Sequence, residues 1–192
     1  MEIDWEVKAE TQTDMFGNEN LQNRKQLLEA LTEKQRKYFN PNNKNKKTLA
    51  LEIRNYKIDV LVNQLELMIK TLGLEEPPVK NNFKDNKKFV AAQQRYQQTM
   101  IWKQNINKLQ KIKQHTDESF NHFDWKLDFP EVLNPYLVNG NGGFDIVIAN
   151  PPYIGQKGNK ALFEPLSEDP NFEKKMDYWY FFLHKSYTLT KE

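Results

Sequence analysis

Gly143-Phe144-Asp145-Ile146-Val147-Ile148-Ala149-Asn150-Pro151-Pro152-Tyr153 is a short apolar run that stops at an Asn, two prolines and an aromatic. Ile146 to Ala149 is rich in β-branched residues, too short for a helix, and bounded by glycines and prolines. That pattern predicts a strand buried on both faces. Such strands belong to parallel sheets, and open α/β sheets place their ligand crevice beyond the carboxyl ends of the strands. Asn150 onward therefore falls where chemistry is expected. Pro151 drives Asn150 out of the helical region, Pro152 does the same to Pro151, and neither proline brings an N–H. What remains is a stiff, acceptor-rich edge: the Asn150 side-chain oxygen, the backbone carbonyls, and the Tyr153 ring beside them.

Such an edge suits one demanding substrate. The exocyclic amine of a nucleobase is a poor nucleophile, because its lone pair is delocalised into the ring. If the Asn150 amide oxygen and the Pro151 carbonyl each accept one N–H, the nitrogen is held and pushed toward tetrahedral geometry, with its lone pair directed at an electrophile. Tyr153 then offers a face on which a base removed from the duplex can stack. The structural alternative is that the prolines merely end a strand and Tyr153 is a half-buried aromatic.

Asn150-Pro151-Pro152-Tyr153, following Phe144-Asp145-Ile146-Val147-Ile148, resembles motif IV of the S-adenosylmethionine-dependent N6-adenine DNA methyltransferases. Phe123-Asp124-Trp125-Lys126-Leu127-Asp128-Phe129-Pro130-Glu131-Val132 is similar to the segment before that motif in the large restriction-modification and phage-defence enzymes of the Eco57I-like or BREX PglX-like type. Asp177-Tyr178-Trp179-Tyr180-Phe181-Phe182 resembles the helix after that motif in the same enzymes. The close resemblance covers residues 119–192 and, more loosely, the helical stretch before them. It implies that Asn150 and Pro151 bind the target amino group, that Pro152 and Tyr153 form the base-binding surface, and that the partner is double-stranded DNA with a flipped adenine. It also implies S-adenosylmethionine as cofactor, with methyl transferred in one in-line displacement and no metal needed.

One departure from the family stands out. Those enzymes bind the methyl donor through a glycine-rich turn after their first strand. Of the seven glycines here, Gly17 follows no strand, Gly73 ends a helix, Gly140, Gly142 and Gly143 precede the apolar run, and Gly155 and Gly158 lie beyond the loop. None opens a helix after a strand, as a nucleotide-binding turn requires. The expectation is that no cofactor-binding residue lies in this chain, that it is an internal piece of a longer enzyme, and that the missing remainder of the methyltransferase is its partner.

The net charge of +2 conceals an asymmetry. Residues 1–20 carry one basic and six acidic residues, residues 21–118 carry 20 and 10, and residues 119–192 carry seven and ten. The chain thus reads as three segments: an acidic N-terminal stretch (1–20), a basic helical region (21–118), and a partial methyltransferase core with the motif (119–192). In the middle region, Leu21 to about Phe39 carries Leu27, Leu28 and Leu31 and ends at Asn40-Pro41. From about Lys47 to Leu72 apolar residues recur at Leu49, Ile53, Tyr56, Val60, Leu61, Leu65, Met68 and Leu72, one face of a long amphipathic helix closed by Gly73 and Pro77-Pro78. A third helix, about Asp85 to His115, turns Phe89, Tyr96, Trp102, Ile106 and Leu109 inward. The expected fold is thus α/β but helix-dominated, a partial Rossmann-like core preceded by a helical bundle or coiled-coil hairpin.

The lysines of the bundle have two readings, phosphate contact or an ordinary solvated face. Lys157, Lys160, Lys174 and Lys175 have the better claim on DNA, because they flank the loop. A hydrophobic content of 38% and a mean hydropathy of −0.86 leave little for a large core. No cysteine excludes disulfides and thiolate metal sites, and His115, His122 and His184 show no ligand spacing, so no metal is expected. No membrane partner is expected either. The acidic start Met1-Glu2-Ile3-Asp4-Trp5 has no apolar core and no run approaches a membrane span, which points to the cytoplasm. Glu6-Val7-Lys8 and Glu173-Lys174-Lys175 have the Glu-x-Lys form of metal-dependent nucleases but no upstream strand-borne Asp. Two hypotheses remain: the target-adenine-binding part of a site-specific adenine-N6 methyltransferase of a restriction system, inactive alone, or a noncatalytic helical DNA-binding or assembly fragment that keeps the motif by descent.

Overall fold

The structure, a computed structural model, describes residues 3–7, 15–118, 120–140 and 142–191, with side chains described from residue 22 onward in the first helix. It divides into two compact units, Met1–Leu137 and Val138–Glu192.

Three long helices build the first unit: α1 (Met15–Phe39), α2 (Lys46–Leu72) and α3 (Asn86–Gln114). The turn at Asn40-Pro41 reverses the chain after α1, with the Asn40 side-chain oxygen accepting the Asn42 N–H at 3.0 Å. Asp85 caps α3 by accepting the Lys87 N–H at 2.8 Å, satisfying a donor that the first turn would otherwise leave open. Neighbours run antiparallel. Lys34 near the end of α1 pairs with Glu52 near the start of α2 at 2.7 Å. Arg54, in the first half of α2, donates to the Ile112 and His115 carbonyls at the end of α3 at 2.5 and 2.8 Å.

The amphipathic face expected on α2 is covered from Leu49 to Met68 but not at Leu72, which is 41% exposed, and α2 also packs on both other helices. Ile58 and Leu67 are therefore buried alongside Val60, Leu61, Leu65 and Met68. Leu28 and Leu31 of α1 and Trp102, Ile106 and Leu109 of α3 close the core around it. On α3 the expected inner face holds, with Phe89 and Tyr96 half-buried. Fully burying one such aliphatic side chain contributes about 1.5–3 kcal/mol, so the bundle rests on this layer.

Residues 3–7 lie across the bundle. Trp5 and Val7 enter the core, the Trp5 Nε1–H donates to Asp124 Oδ2 at 3.2 Å, and the Gln64 amide donates to the Asp4 carbonyl at 2.6 Å. Of the acidic stretch expected over residues 1–20, residues 1–2 and 8–14 lie outside the described residues, and residues 15–20 belong to α1, which starts at Met15 rather than at the expected Leu21. Two short helices, α4 (Trp125–Asp128) and α5 (Pro130–Leu133), pack on the same core through Leu127. A buried polar hub joins these parts. Arg24, 1% exposed, donates to Asn63 Oδ1 at 2.8 Å and to the Tyr136 hydroxyl at 3.1 Å, and that hydroxyl donates to the Val7 carbonyl at 2.8 Å. Lys57 and Asp128 form a half-buried ion pair that links α2 to α4.

The second unit holds α6 (Lys160–Phe163) and α7 (Trp179–Leu189) around Phe163, Met176 and Leu189. Phe163 meets Tyr178 edge-on at 5.6 Å, and Phe172 stacks with Phe181 at 6.4 Å, so aromatic packing carries this small core. Helix dominates the chain as expected. The strand expected over Ile146 to Ala149 is not formed: among the described residues only isolated bridges occur, Phe144 with Thr190 (parallel) and Gly155 with Asp177 (antiparallel). The expectation of burial on both faces is also corrected, since Ile146 is 75% and Ile148 92% exposed. The physical reason is the lack of neighbours. Phe144 N–H donates to the Leu189 carbonyl at 2.7 Å and the Lys191 N–H to the Phe144 carbonyl at 3.0 Å, but no ladder continues past Phe144. Gly143 is required just before it, where a Cβ would sit 2.5 Å from the Lys191 nitrogen.

Candidate functional site

Asn150, Pro151, Pro152 and Tyr153 form an exposed loop in the second unit, with Pro151 half-buried. Ile154 N–H donates to the Pro152 carbonyl at 3.1 Å, which makes Tyr153 the central residue of a three-residue turn. A turn that tight pushes its central side chain outward, and the Tyr153 ring is 85% exposed. The Pro152 carbonyl is thereby used. Among the described residues no donor engages the Asn150 side-chain oxygen or the Pro151 carbonyl. Both acceptors of the sequence reading are open to a ligand, and the Tyr153 face stands near them in the chain.

The loop is anchored at its exit. The Tyr178 N–H donates to the Ile154 carbonyl at 2.7 Å and the Gln156 N–H to the Met176 carbonyl at 3.2 Å. Gly155 faces Asp177 across this short antiparallel contact, and a Cβ at Gly155 would meet Asp177 Oδ1 at 3.0 Å. Sequence reasoning missed these residues. Gln156 and Met176 belong to no recognisable spacing, and the contact joins positions some twenty residues apart, so no local signal exists.

Lys174 and Lys175 line a cavity of about 510 Å³ with Asn171, Asp177, Tyr180 and His184. Lys157 lies in the turn after the loop, where Asn159 Nδ2 donates to the Gly155 carbonyl at 3.0 Å, and Lys160 begins α6. All four lysines are exposed; the cavity brings Lys174 and Lys175 together, but not Lys157 or Lys160. Asp145 is a surface group in an ion pair with Lys191 at 2.9 Å. The hydrogen bond from Lys191, reinforced by its charge, holds the Asp145 carboxyl below its ordinary range.

On the bundle, Lys113 pairs with Asp59 at 2.5 Å and Lys103 approaches Glu75 at 3.8 Å, while Lys46 lies over the Tyr38 ring at 5.7 Å. Part of that basic surface is thus occupied internally. Among the described residues no helix is long and apolar enough to cross a membrane.

A methyl donor calls for a glycine turn between a strand and a helix. Gly73 follows α2, Gly143 backs onto residues 190–191, Gly155 faces Asp177, and Gly140 and Gly158 have positive φ with nothing near their Cβ positions. None of the described residues forms such a turn, so they do not fit the donor.

Residues 9–192 match the family described as Eco57I restriction-modification methylase. No curated protein and no solved structure matches.

Proposed function

Because the chain belongs to the Eco57I restriction-modification methylase family, we propose that it carries the target-base half of a site-specific DNA (adenine-N6) methyltransferase. Asn150 Oδ1 and the Pro151 carbonyl each accept one N–H of the adenine 6-amino group, which draws the nitrogen out of conjugation and aims its lone pair. The Tyr153 ring stacks on the base once it leaves the duplex. The observation that carries this reading is the exposed Tyr153 next in the chain to two acceptors that no donor among the described residues engages.

S-adenosylmethionine, the donor in this reading, is held by polypeptide other than the described residues. The exposed Ile146 and Ile148 support the same division: residues 144–149 act as a strand of a Rossmann-like sheet whose neighbours come from that remainder. Lys174 and Lys175, at the cavity beside the loop exit, contact backbone phosphates, with Lys157 and Lys160 as flanking cations. The partner is double-stranded DNA.

The test is nucleoside mass spectrometry of duplex DNA treated with the complete methyltransferase, this chain together with its donor-binding part. N6-methyladenine is the expected product, and methylation of cytosine instead would refute the reading. Titration calorimetry of this chain alone with S-adenosylmethionine should give no micromolar binding.

A further inference from the structure

The tip of the Asn150–Tyr153 loop is open, so its direction must be set at the exit. There residues 154–156 and 176–178 run antiparallel, held by the Tyr178 N–H on the Ile154 carbonyl at 2.7 Å and the Gln156 N–H on the Met176 carbonyl at 3.2 Å. The chain turns at Lys174-Lys175, just before residues 176–178. Lys175 has a φ of 68°, in the left-handed region that residues with a Cβ seldom adopt. The same residue's N–H donates to Gln156 Oε1 at 2.5 Å. Gln156 therefore acts twice, its backbone in the ladder and its side chain on the turn that makes the ladder possible.

We propose that Gln156 is a positioning residue for the target base. Its side-chain oxygen caps Lys175 and stabilises the left-handed turn; the turn holds residues 176–178 against 154–156; and this ladder fixes the stance of Tyr153, one residue before it, and of the Asn150 and Pro151 acceptors. The inference rests on the base-binding reading of that loop. A conformation disfavoured for Lys persists only where its surroundings determine it; here the Gln156 cap binds the Lys175 N–H itself, and Met176 Sδ accepts the Glu173 N–H at 3.1 Å across the same turn. Glycine at position 175 would hold the same φ without that support.

Two readouts test this, one independent of catalysis. In this chain, Gln156→Ala should speed hydrogen exchange at the Gln156 and Tyr178 amides about tenfold, the worth of one such hydrogen bond, while the α2 amides stay as they were. In the complete methyltransferase, the same substitution should lower kcat by about tenfold without raising KM for the donor, because a misdirected base is bound but not presented. Gln156→Glu, which keeps an acceptor oxygen, should retain activity. In a Lys175→Gly background of this chain the effect of Gln156→Ala on exchange should shrink, because glycine needs no cap, while the loss of kcat at unchanged KM is what a merely structural glutamine would not produce.

Unchanged exchange in Gln156→Ala would overturn the proposal, as would faster exchange with kcat untouched, which would leave a ladder that positions nothing. The wild-type product is assayed first. A product other than N6-methyladenine would remove the base-binding reading, and this proposal with it, before any variant is compared.

Discussion

Tyr153→Ala separates a base-binding tyrosine from a structural one. The ring is 85% exposed, so folding covers about 15% of it. A tyrosine offers about 200 Å², of which some 30 Å² is therefore covered, worth about 0.8 kcal/mol at about 25 cal/mol per Å². Removing the ring should cost the fold no more than that, a small shift in the thermal or urea midpoint of the chain. Base–aromatic stacking is worth about 1–3 kcal/mol, which is about 5- to 150-fold in capture of the flipped adenine. The assay pairs a melt of the chain with the fluorescence of 2-aminopurine at the target position in duplex DNA, read in the complete methyltransferase. Tyr153→Phe should be mild in both, since the ring face and not the hydroxyl does the stacking. A strongly destabilised Tyr153→Ala, or a Tyr153→Phe as damaging to capture as Tyr153→Ala, would refute the reasoning.

Asn150→Ala in the complete methyltransferase should lower kcat by about 10²–10³ with donor binding unchanged, by analogy with loss of one positioned oxyanion-hole donor; near-normal turnover would show that this oxygen does not act on the amine. Tyr136→Phe removes the hydroxyl that accepts from Arg24 and donates to the Val7 carbonyl, leaving an Arg24 N–H without its partner and the Val7 carbonyl with only the long bond from the Gln64 amide at 3.5 Å. It should destabilise the helical unit by about 1.5–3 kcal/mol in urea denaturation, and a loss within error would mean water replaces the hydroxyl. Burial lowers the His122 pKa from its ordinary 6.5, with Asp124 opposing, and its Nε2 is buried without a hydrogen-bond partner among the described residues. The unfolded chain therefore takes up this proton first as pH falls. Stability should begin to drop below about pH 6.5 and the loss should be complete below the depressed folded value; His122→Gln should flatten that part of the pH–stability curve.

The bundle was legible because its signals are local. Proline and asparagine at 40–43, Asp85 as a cap, and apolar residues at three- and four-residue steps mark where α1 stops and where α2 and α3 start and stop, while α1 starts at Met15, six residues before the expected Leu21. Even there, burial of Ile58 and Leu67 depended on α2 lying between two helices, which no single-helix pattern encodes. Arg24 in the sequence is one more cation on a basic helix; only the meeting of α1, α2 and residues 134–137 makes it a buried hub.

The sequence by itself also determined the chemical character of the loop. Asn150, two prolines without N–H groups and Tyr153 are adjacent, so their acceptors and ring are present whatever surrounds them. The strand expected before them does not form because a β-strand is a property of a pair: Ile146 to Ala149 has the composition of one, yet backbone hydrogen bonds and burial must come from a neighbour. What faces Ile154 to Gln156, which conformation Lys175 adopts, and which lysines share a cavity were decided by tertiary structure alone. The pairing of 154–156 with 176–178 joins distant residues through backbone groups, which every residue type except proline carries alike, and the Lys175 N–H meets the Gln156 side chain from 19 residues away.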